Sequence, residues 1–370
     1  MSELAEVFAR HADGYLAKYG SAVLPSHRRA IRDIVSCRTD VMGGHVFRCD
    51  SCGREVYAYH SCRNRNCPKC RHKIAEDWLA ARRGEILPVT YFHAVFTLSS
   101  GLRRLVRSHQ RLLGGILMQA AARATVKLCR DPRYVGGTVG VMAVLHTSGR
   151  NLSWHPHVHC LVTGGGLSTD DTWLRSRKNY LVPVRALSKI FRGKVRDAVT
   201  RTLPDATFPD ALWKNKWCVH CKPAPGATDA VLRYVARYVY RGIISNRDIL
   251  AVTATHVTFR YKATRTGKWT VMTLAAHEFM RRFLQHVLPR GFHKVRYYGL
   301  WSAPSRTKLR RLQLALGSRV PEAEAETSDS ALDDDAPASR HPLEGETCPH
   351  CGKGRLVYVK PLPPRRDIPP

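Results

Sequence analysis

The chain has 370 residues with a net charge of +31 at pH 7, and nine of its 29 acidic residues fall between Glu322 and Glu346. A body this basic needs a polyanionic partner, and nucleic acid is the ordinary one. The acidic start lacks the apolar core of a signal peptide, and the longest mostly apolar stretch, Leu112 to Val126, is too short and too polar for a bilayer span, so an intracellular protein is expected.

The first third of the chain predicts helices on either side of a cysteine-rich segment. Apolar residues at helical spacing and a break at Leu24-Pro25-Ser26 predict two helices over 2–36. Residues 37–70 are rich in cysteine and glycine and leave little room for a core. A helix over 71–87, a strand over Tyr91–Leu98 and a long basic helix over 102–129 follow.

The rest of the chain mixes strands and helices without regular alternation. Thr138–His146 and His157–Val162 predict an antiparallel hairpin. Further helices are predicted near 185–202, 227–240 and 275–288, and strands near 216–221, 248–253, 256–262 and 269–274. This order favours an α+β fold with a central antiparallel sheet and flanking helices, preceded by a small helical and cysteine-rich domain.

Two C-x2-C pairs in the cysteine-rich segment have the spacing of a zinc site. Four thiolates from two tight turns can hold Zn²⁺ tetrahedrally, and paired spacing is not expected of buried free cysteines. The predicted zinc ligands are Cys49, Cys52, Cys67 and Cys70. Neighbouring side chains could complete a second site or replace a ligand; these are Cys37, His45, His60 and Cys62. The basic flank of the knuckles, including Arg65 and Lys69, is expected to contact DNA.

A third C-x2-C pair, Cys348 and Cys351, has no obvious partner pair in the sequence. Cys218 and Cys221 have the same spacing, but Cys218 lies in a strand-like run, so coincidence is the better interpretation of that pair.

Two histidines on a predicted strand form half of a possible divalent-metal site. Residues i and i+2 of a strand project to the same face, so His157 and His159 point together. A third ligand must come from another element, and we favour His146 because it lies near the end of the neighbouring strand. His155 shares the parity of the pair, but Pro156 distorts the backbone beside it. A pair of purely structural histidines is the alternative.

Two tyrosines lie on one face of the helix predicted over 227–240. Tyr234 and Tyr238 are four residues apart, whereas Tyr240 falls off that face. A parallel stripe of Arg233, Arg237 and Arg241 could hold a scissile phosphate. Tyrosine packing in a core helix is the alternative. A tyrosine oxygen can attack a phosphodiester to form a phosphotyrosine, and a metal on the histidines can polarise the phosphate.

From about residue 10 to 315 the sequence resembles the two-tyrosine rolling-circle transposases of bacterial insertion sequences, within the HUH (His-hydrophobe-His) endonuclease superfamily. The resemblance rests on several motifs together: Cys49-x2-Cys52-Gly, Ser61-Cys-Arg-Asn-Arg, Cys67-Pro-Lys-Cys70, His155-Pro-His-Val-His-Cys, Tyr234-x3-Tyr238 and Phe283-Leu-Gln-His-Val-Leu-Pro. Asn66 departs from the pattern, which has His before the second knuckle.

The resemblance implies a fold, a reaction and partners. It implies an HUH-type (RRM/ferredoxin-like) sheet and single-strand DNA cleavage and rejoining through 5′-phosphotyrosine intermediates. It assigns a catalytic Mg²⁺ or Mn²⁺ to His157 and His159, the nucleophile roles to Tyr234 and Tyr238, and structural Zn²⁺ to the knuckles. The expected partners are single-stranded DNA ends of the element and its target. Host replication or helicase machinery is also expected, because the sequence lacks a Gly-x4-Gly-Lys-Ser/Thr ATP-binding motif.

The predicted organisation is a helical and zinc-binding domain over 1–88, a catalytic domain over 89–318, a disordered acidic linker over 319–347 and a C-x2-C tail over 348–370. A bacterial cytoplasmic, nucleoid-associated location is expected. Two other functions remain open: a non-enzymatic zinc protein that binds nucleic acid, and a metal-dependent phosphodiesterase that uses water.

Overall fold

The computed structural model describes residues 3–226, 228–239, 242–264, 266–317 and 341–365, without the side chains at 228, 229, 232, 235, 237 and 238. A five-stranded antiparallel sheet lies at the centre of the chain. Its strands are β3 (Tyr91–Thr97), β4 (Gly140–Ser148), β5 (Trp154–Thr163), β8 (Val219–Pro223) and β12 (Val295–Gly299). Their spatial order is β12-β4-β5-β3-β8, so β5, which carries the His-Val-His sequence, is the middle strand.

Helices cover both faces of this sheet because its strands are apolar on both sides. One face packs on α4 (Arg103–Ser108), α5 (Gln110–Cys129) and α6 (Val184–Thr202), in a core that includes Val158, Cys160 and Phe191. The opposite face packs against α3 (Arg71–Arg82) and α8 (Thr228–Val239). Alternation along β5 places Val158 toward the first layer, and so His157 and His159 lie under the second.

The predicted long helix over 102–129 is two helices, since His109 has φ −122° and ψ 47° and interrupts the helical backbone. By length and composition alone, α5 could cross a membrane, contrary to the sequence expectation. It packs instead on the central sheet beside α6, and 61% of its most apolar window is buried, which is typical of a core helix.

A second unit surrounds the N-terminal helices α1 (Leu4–Tyr19) and α2 (Pro25–Ser36). They pack with α9 (Ala276–Leu284) on a three-stranded sheet of β9 (Ile249–Val252), β10 (His256–Lys262) and β11 (Trp269–Ala275). Phe8 and Phe283 are fully buried in this core with their rings edge to face, 5.3 Å between centroids. The N-terminal helices are therefore anchored to a segment 275 residues further along the chain, counted from Phe8 to Phe283.

The cysteine-rich segment forms a third sheet, and the tail of the chain completes it. β1 (Gly44–Cys49) pairs with β2 (Glu55–Tyr59) on one side and with β13 (Leu356–Leu362) on the other. The sequence had predicted a linker as far as 347, but residues 341–347 are ordered: His341 stacks on Tyr358, and Leu343 packs beside Phe47. The rest of the predicted linker, 318–340, lies outside the described residues.

Four smaller elements complete the part of the chain that the structure describes. They are β6 (Gly165–Leu167), β7 (Trp173–Arg175), α7 (Asp210–Lys214) and α10 (Arg306–Ala315). The predicted helix over 275–288 ends at Leu284. The elements that were not predicted are β1, β2, β6, β7, β12, β13, α7 and α10. The α+β fold with a central antiparallel sheet is confirmed.

Candidate functional site

Three histidines meet on the central sheet. In the β4–β5 hairpin His146 pairs directly with His157, and His159 lies two residues along β5 on the same face. The ring centroids are 5.3 Å apart for His146 and His157, 4.5 Å for His146 and His159, and 4.9 Å for His157 and His159. Each ring offers a nitrogen within 4.8 Å of the other two, so the predicted third residue, His146, joins the pair.

The tautomer of His157 follows from its neighbour. The Nδ1 atom of His157 lies 2.7 Å from the carbonyl oxygen of His155. A carbonyl oxygen only accepts hydrogen bonds, so Nδ1 must carry the proton and donate it. That leaves Nε2 of His157 with a lone pair, as metal coordination requires. His155 thus orients the site through its backbone rather than as a third ligand.

His93 on β3 belongs to the site, although the sequence interpretation missed it. Its Nε2 is 2.8 Å from Nδ1 of His159, and its Nδ1 is 2.9 Å from the hydroxyl oxygen of Tyr234. Burial lowers the pKa of His93 to about 4. The alternation of side chains along β3 could have predicted its position. Phe92, Ala94 and Phe96 face the core with α5, so His93 must face the other side of the sheet.

Tyr234 lies on helix α8 and joins the histidines through its hydrogen bond to His93. Val231, Ala236 and Val239 are buried and hold the helix against the sheet, while Tyr234 is half-buried and Arg233 is exposed. Tyr238 and Arg237 lie on α8, but their side chains are outside the described residues, as is the whole of Arg241. The structure therefore brings one of the two predicted tyrosines to the histidines and leaves the arginine stripe undescribed beyond Arg233.

Two cavities open beside the histidines and share a wall. The first, of about 420 Å³, includes His146 in its lining, together with the basic side chains of Arg65, Arg82 and Lys294. The second, of about 440 Å³, meets the first at Ser148, Gly242 and Ile243. Of the described residues in its lining one is acidic, Asp248, and several are basic: Arg71, Arg150, Arg247, Arg260 and Lys262.

The cysteine-rich segment 37–70 and the helix α3 that follows it, together called the zinc module, supply arginines to both cavities. Arg65 donates a hydrogen bond from Nη1 to the carbonyl oxygen of Phe292 over 2.9 Å, and burial lowers the pKa of its guanidinium. Arg71 lies against Gly242, where any side chain would collide with the guanidinium. Lys69, also predicted to contact DNA, instead forms a 2.8 Å ion pair with Glu3 and lines neither cavity.

The twelve cysteines include two clusters of four, and these differ from the predicted set. Cys67 and Cys70 meet Cys37 and Cys62, whereas Cys49 and Cys52 meet Cys348 and Cys351. The four cysteines predicted to form one site are divided between two clusters. The β1–β2 hairpin places Cys49 and Cys52 next to β13 and away from Cys67 and Cys70. His45 and His60 join neither cluster: their rings lie 4.9 Å apart at the far end of the same hairpin. Cys218 and Cys221 also belong to neither.

The first cluster has the geometry of a closed structural metal site. The sulfur of Cys70 is 3.4 Å from that of Cys37 and 3.6 Å from that of Cys62. Three of the four cysteines are buried, and helix α3 begins directly after Cys70. Four thiolates leave a tetrahedral zinc no open position, so this cluster is suited to holding the fold and not to catalysis.

Two family models match this chain. A family model described as "Putative transposase" matches residues 140–308, and one described as "Transposase zinc-binding domain" matches residues 7–98. The zinc-binding model covers all of Cys37, Cys62, Cys67 and Cys70, which supports structural zinc there. No solved structure matches the chain.

Two curated relatives extend the match. The chain is 37% identical over 379 residues to "Putative transposase y4qJ" of Sinorhizobium fredii, covering 97% of this chain and 95% of the relative. It is 28% identical over 289 residues to the transposase for insertion sequence element IS801 of Pseudomonas savastanoi pv. phaseolicola, covering 73% and 68% respectively. The chain thus belongs to the insertion-sequence-91-like family of transposases with an N-terminal zinc-binding domain.

Proposed function

We propose that this transposase cuts and rejoins single-stranded DNA through 5′-phosphotyrosine intermediates. Tyr234 and Tyr238 are the nucleophiles, and a divalent metal ion is held by His146, His157 and His159. The observation that carries the proposal is the chain of hydrogen bonds from Tyr234 through His93 to His159, because it joins a possible nucleophile to a possible metal ligand.

The donor set fits a divalent ion. Three imidazole nitrogens within 4.8 Å of one another make a half-shell that leaves positions open for phosphate oxygen and water. Mg²⁺ strongly prefers oxygen ligands and gives up its water reluctantly, so of the two expected ions Mn²⁺, a first-row transition ion, fits three imidazoles better. When bound, such an ion polarises the scissile phosphate and helps align the displacement.

The protein's own residues give the hydrogen-bond chain a direction. If His159 offers Nε2 as a ligand, its proton is on Nδ1 and is donated to Nε2 of His93. His93 then carries its proton on Nδ1 and donates it to the oxygen of Tyr234. A phenol oxygen that accepts a hydrogen bond is stabilised in its anionic form, which activates it as a nucleophile.

The proposed step conserves bonds and charge. The oxygen of Tyr234 attacks phosphorus and the bond from phosphorus to O3′ breaks, which leaves a 5′-phosphotyrosine and a free 3′-hydroxyl. The phenol proton must go to water, because His93 already donates toward that oxygen. Since one phosphodiester replaces another, the reverse attack by a 3′-hydroxyl rejoins DNA, and a second tyrosine permits a second exchange.

The two adjoining cavities provide a path for the DNA strand. Their shared wall makes them one groove, which runs from His146 past Ser148 to the sheet of β9, β10 and β11. At its far end Trp269 is 60% exposed, with the guanidinium of Arg260 5.0 Å from the centre of its ring. Arginines along a groove attract the phosphates, and an exposed aromatic ring offers a surface for base stacking.

Strand displacement would depend on host helicase or replication proteins at the bacterial nucleoid.

The test is a search for the covalent intermediate. The protein is incubated with Mn²⁺ or Mg²⁺ and labelled single-stranded DNA that carries an end of the element, then separated under denaturing conditions. We expect a protein–DNA adduct that Tyr234→Phe removes or strongly reduces, and that persists in Tyr180→Phe, whose phenol is exposed and lies outside the site.

Two results would contradict the proposal and favour the alternatives. Cleavage without an adduct would indicate a phosphodiesterase that uses water. Binding without cleavage, unchanged in Tyr234→Phe and Tyr238→Phe, would indicate a zinc protein that only binds nucleic acid.

A further inference from the structure

We propose that the protein binds a second structural zinc ion, which fastens the C-terminal tail to the N-terminal module. Its ligands are the sulfurs of Cys49, Cys52, Cys348 and Cys351. Cys348 and Cys351 lie outside the matched zinc-binding region of residues 7–98, so the inference rests on the geometry of this chain.

The sulfur positions have the dimensions of a zinc tetrahedron. The sulfur of Cys49 lies 3.7 Å from that of Cys351, and the sulfur of Cys52 lies 3.8 Å from that of Cys348. Zinc–sulfur bonds of about 2.3 Å arranged tetrahedrally place the sulfurs about 3.8 Å apart. A disulfide would need a separation of about 2.05 Å, so these pairs are not bonded to each other.

The two knuckles have nearly the same backbone structure, although they come from opposite ends of the chain. Each is a Cys-x2-Cys-Gly turn whose glycine has a positive φ, 68° at Gly53 and 66° at Gly352. Each glycine donates its backbone N–H to the carbonyl oxygen of the first cysteine, over 3.0 Å to Cys49 and 2.9 Å to Cys348. Two similar turns that present two sulfurs each are how proteins build a four-cysteine zinc site.

Backbone N–H groups also point at the sulfurs. The sulfur of Cys49 accepts from the N–H of Cys52, that of Cys348 from His350, and that of Cys351 from Gly354, each over 3.4 Å. Such donors stabilise thiolates, which are the form that binds zinc. Gly354 is required here, because a β-carbon at that position would lie 2.4 Å from the sulfur of Cys49.

The surrounding core is too small to hold the tail by itself. Among the described residues, the buried members of this cluster are Phe47, Cys49, Cys348 and Leu356, and half of them are sulfur ligands. The other apolar side chains packed there are only partly buried. Small domains with so little apolar burial generally need a metal or a disulfide. Zinc can contribute on the order of 10 kcal/mol to folding. With zinc bound, β13 stays paired with β1 and the three-stranded sheet is stable.

The test counts zinc per chain in the full-length protein. His157→Ala and His159→Ala are introduced first, so that the histidine cluster cannot add an ion to the count. We expect two zinc ions per chain in this background and one after Cys348→Ser with Cys351→Ser. A matched control is Cys218→Ser with Cys221→Ser, which alters a pair of the same spacing outside both clusters and should leave two ions.

A second variant keeps all four sulfurs. Gly354→Val should also reduce the count to one, because its side chain collides with the sulfur of Cys49. The proposal is wrong if the background protein binds one zinc ion, or if it binds two and the Cys348→Ser, Cys351→Ser variant still binds both. The zinc content of the His157→Ala, His159→Ala protein can refute the proposal by itself. The test therefore does not depend on whether a cysteine or glycine variant folds.

Discussion

His93 gives the sharpest test of the proposed chemistry, and His93→Phe is the most informative change. The ring of His93 stacks on that of His159, with centroids 5.0 Å apart and an angle of 7° between planes, and phenylalanine can keep this packing. What it removes are the two hydrogen bonds, to Nδ1 of His159 and to the oxygen of Tyr234. The variant should therefore fold and lose the connection between the tyrosine and the metal ligand.

The expected loss can be estimated in two ways. A buried donor left without its partner costs about 1–3 kcal/mol, and Nδ1 of His159 would be such a donor. Replacing a residue that orients a metal ligand typically costs about 10–100-fold in affinity or activity. At 1.36 kcal/mol for each factor of ten, the two figures agree. We expect single-turnover cleavage to slow by about 10–100-fold.

The assay measures the rate of adduct formation on labelled single-stranded DNA over a range of Mn²⁺ concentrations. A slower rate that persists at saturating Mn²⁺ indicates action on Tyr234, whereas a weaker apparent affinity for Mn²⁺ alone indicates action through His159. The control is His220→Phe, an exposed histidine on β8 next to β3. If His93→Phe cleaves within about twofold of the unaltered protein at every Mn²⁺ concentration, the reasoning from the hydrogen-bond chain fails.

Three further predictions concern the zinc module, the core and the DNA path. Cys67→Ser should release the zinc of the first cluster and unfold the module, since zinc supplies on the order of 10 kcal/mol there; metal analysis that finds this zinc retained would contradict it. Phe283→Ala should lower the free energy of unfolding by about 3–5 kcal/mol, because it empties a fully buried site against Phe8; denaturant titration measures this, and a loss below about 1 kcal/mol would refute it. Trp269→Ala should weaken single-stranded DNA binding by about 1–3 kcal/mol at fixed salt, and unchanged affinity on oligonucleotides long enough to reach β11 would exclude the proposed path.

Local pattern was enough to predict much of the site. Strand parity placed His157 and His159 on one face, and hairpin pairing brought His146 beside them. His93 was missed because its role depends on β3 lying next to β5, and a sequence does not state which strands are neighbours. The cysteine grouping failed for a related reason. Cys49 pairs across about 300 residues with Cys351, and spacing along the chain carries no information about such a contact.

The pairing of β13 with β1 also sets an order of assembly. Domains generally fold during synthesis from the N-terminus onward, but this module cannot finish until residue 362 has emerged from the ribosome. Until then Cys49 and Cys52 form only half of the proposed zinc site. Their thiols can be oxidised or can bind a different metal ion. A chain cut short after β12 would carry the three histidines and Tyr234 together with an incomplete cluster of two cysteines, Cys49 and Cys52. The presence of β13 would then distinguish chains that can complete this cluster from chains that cannot.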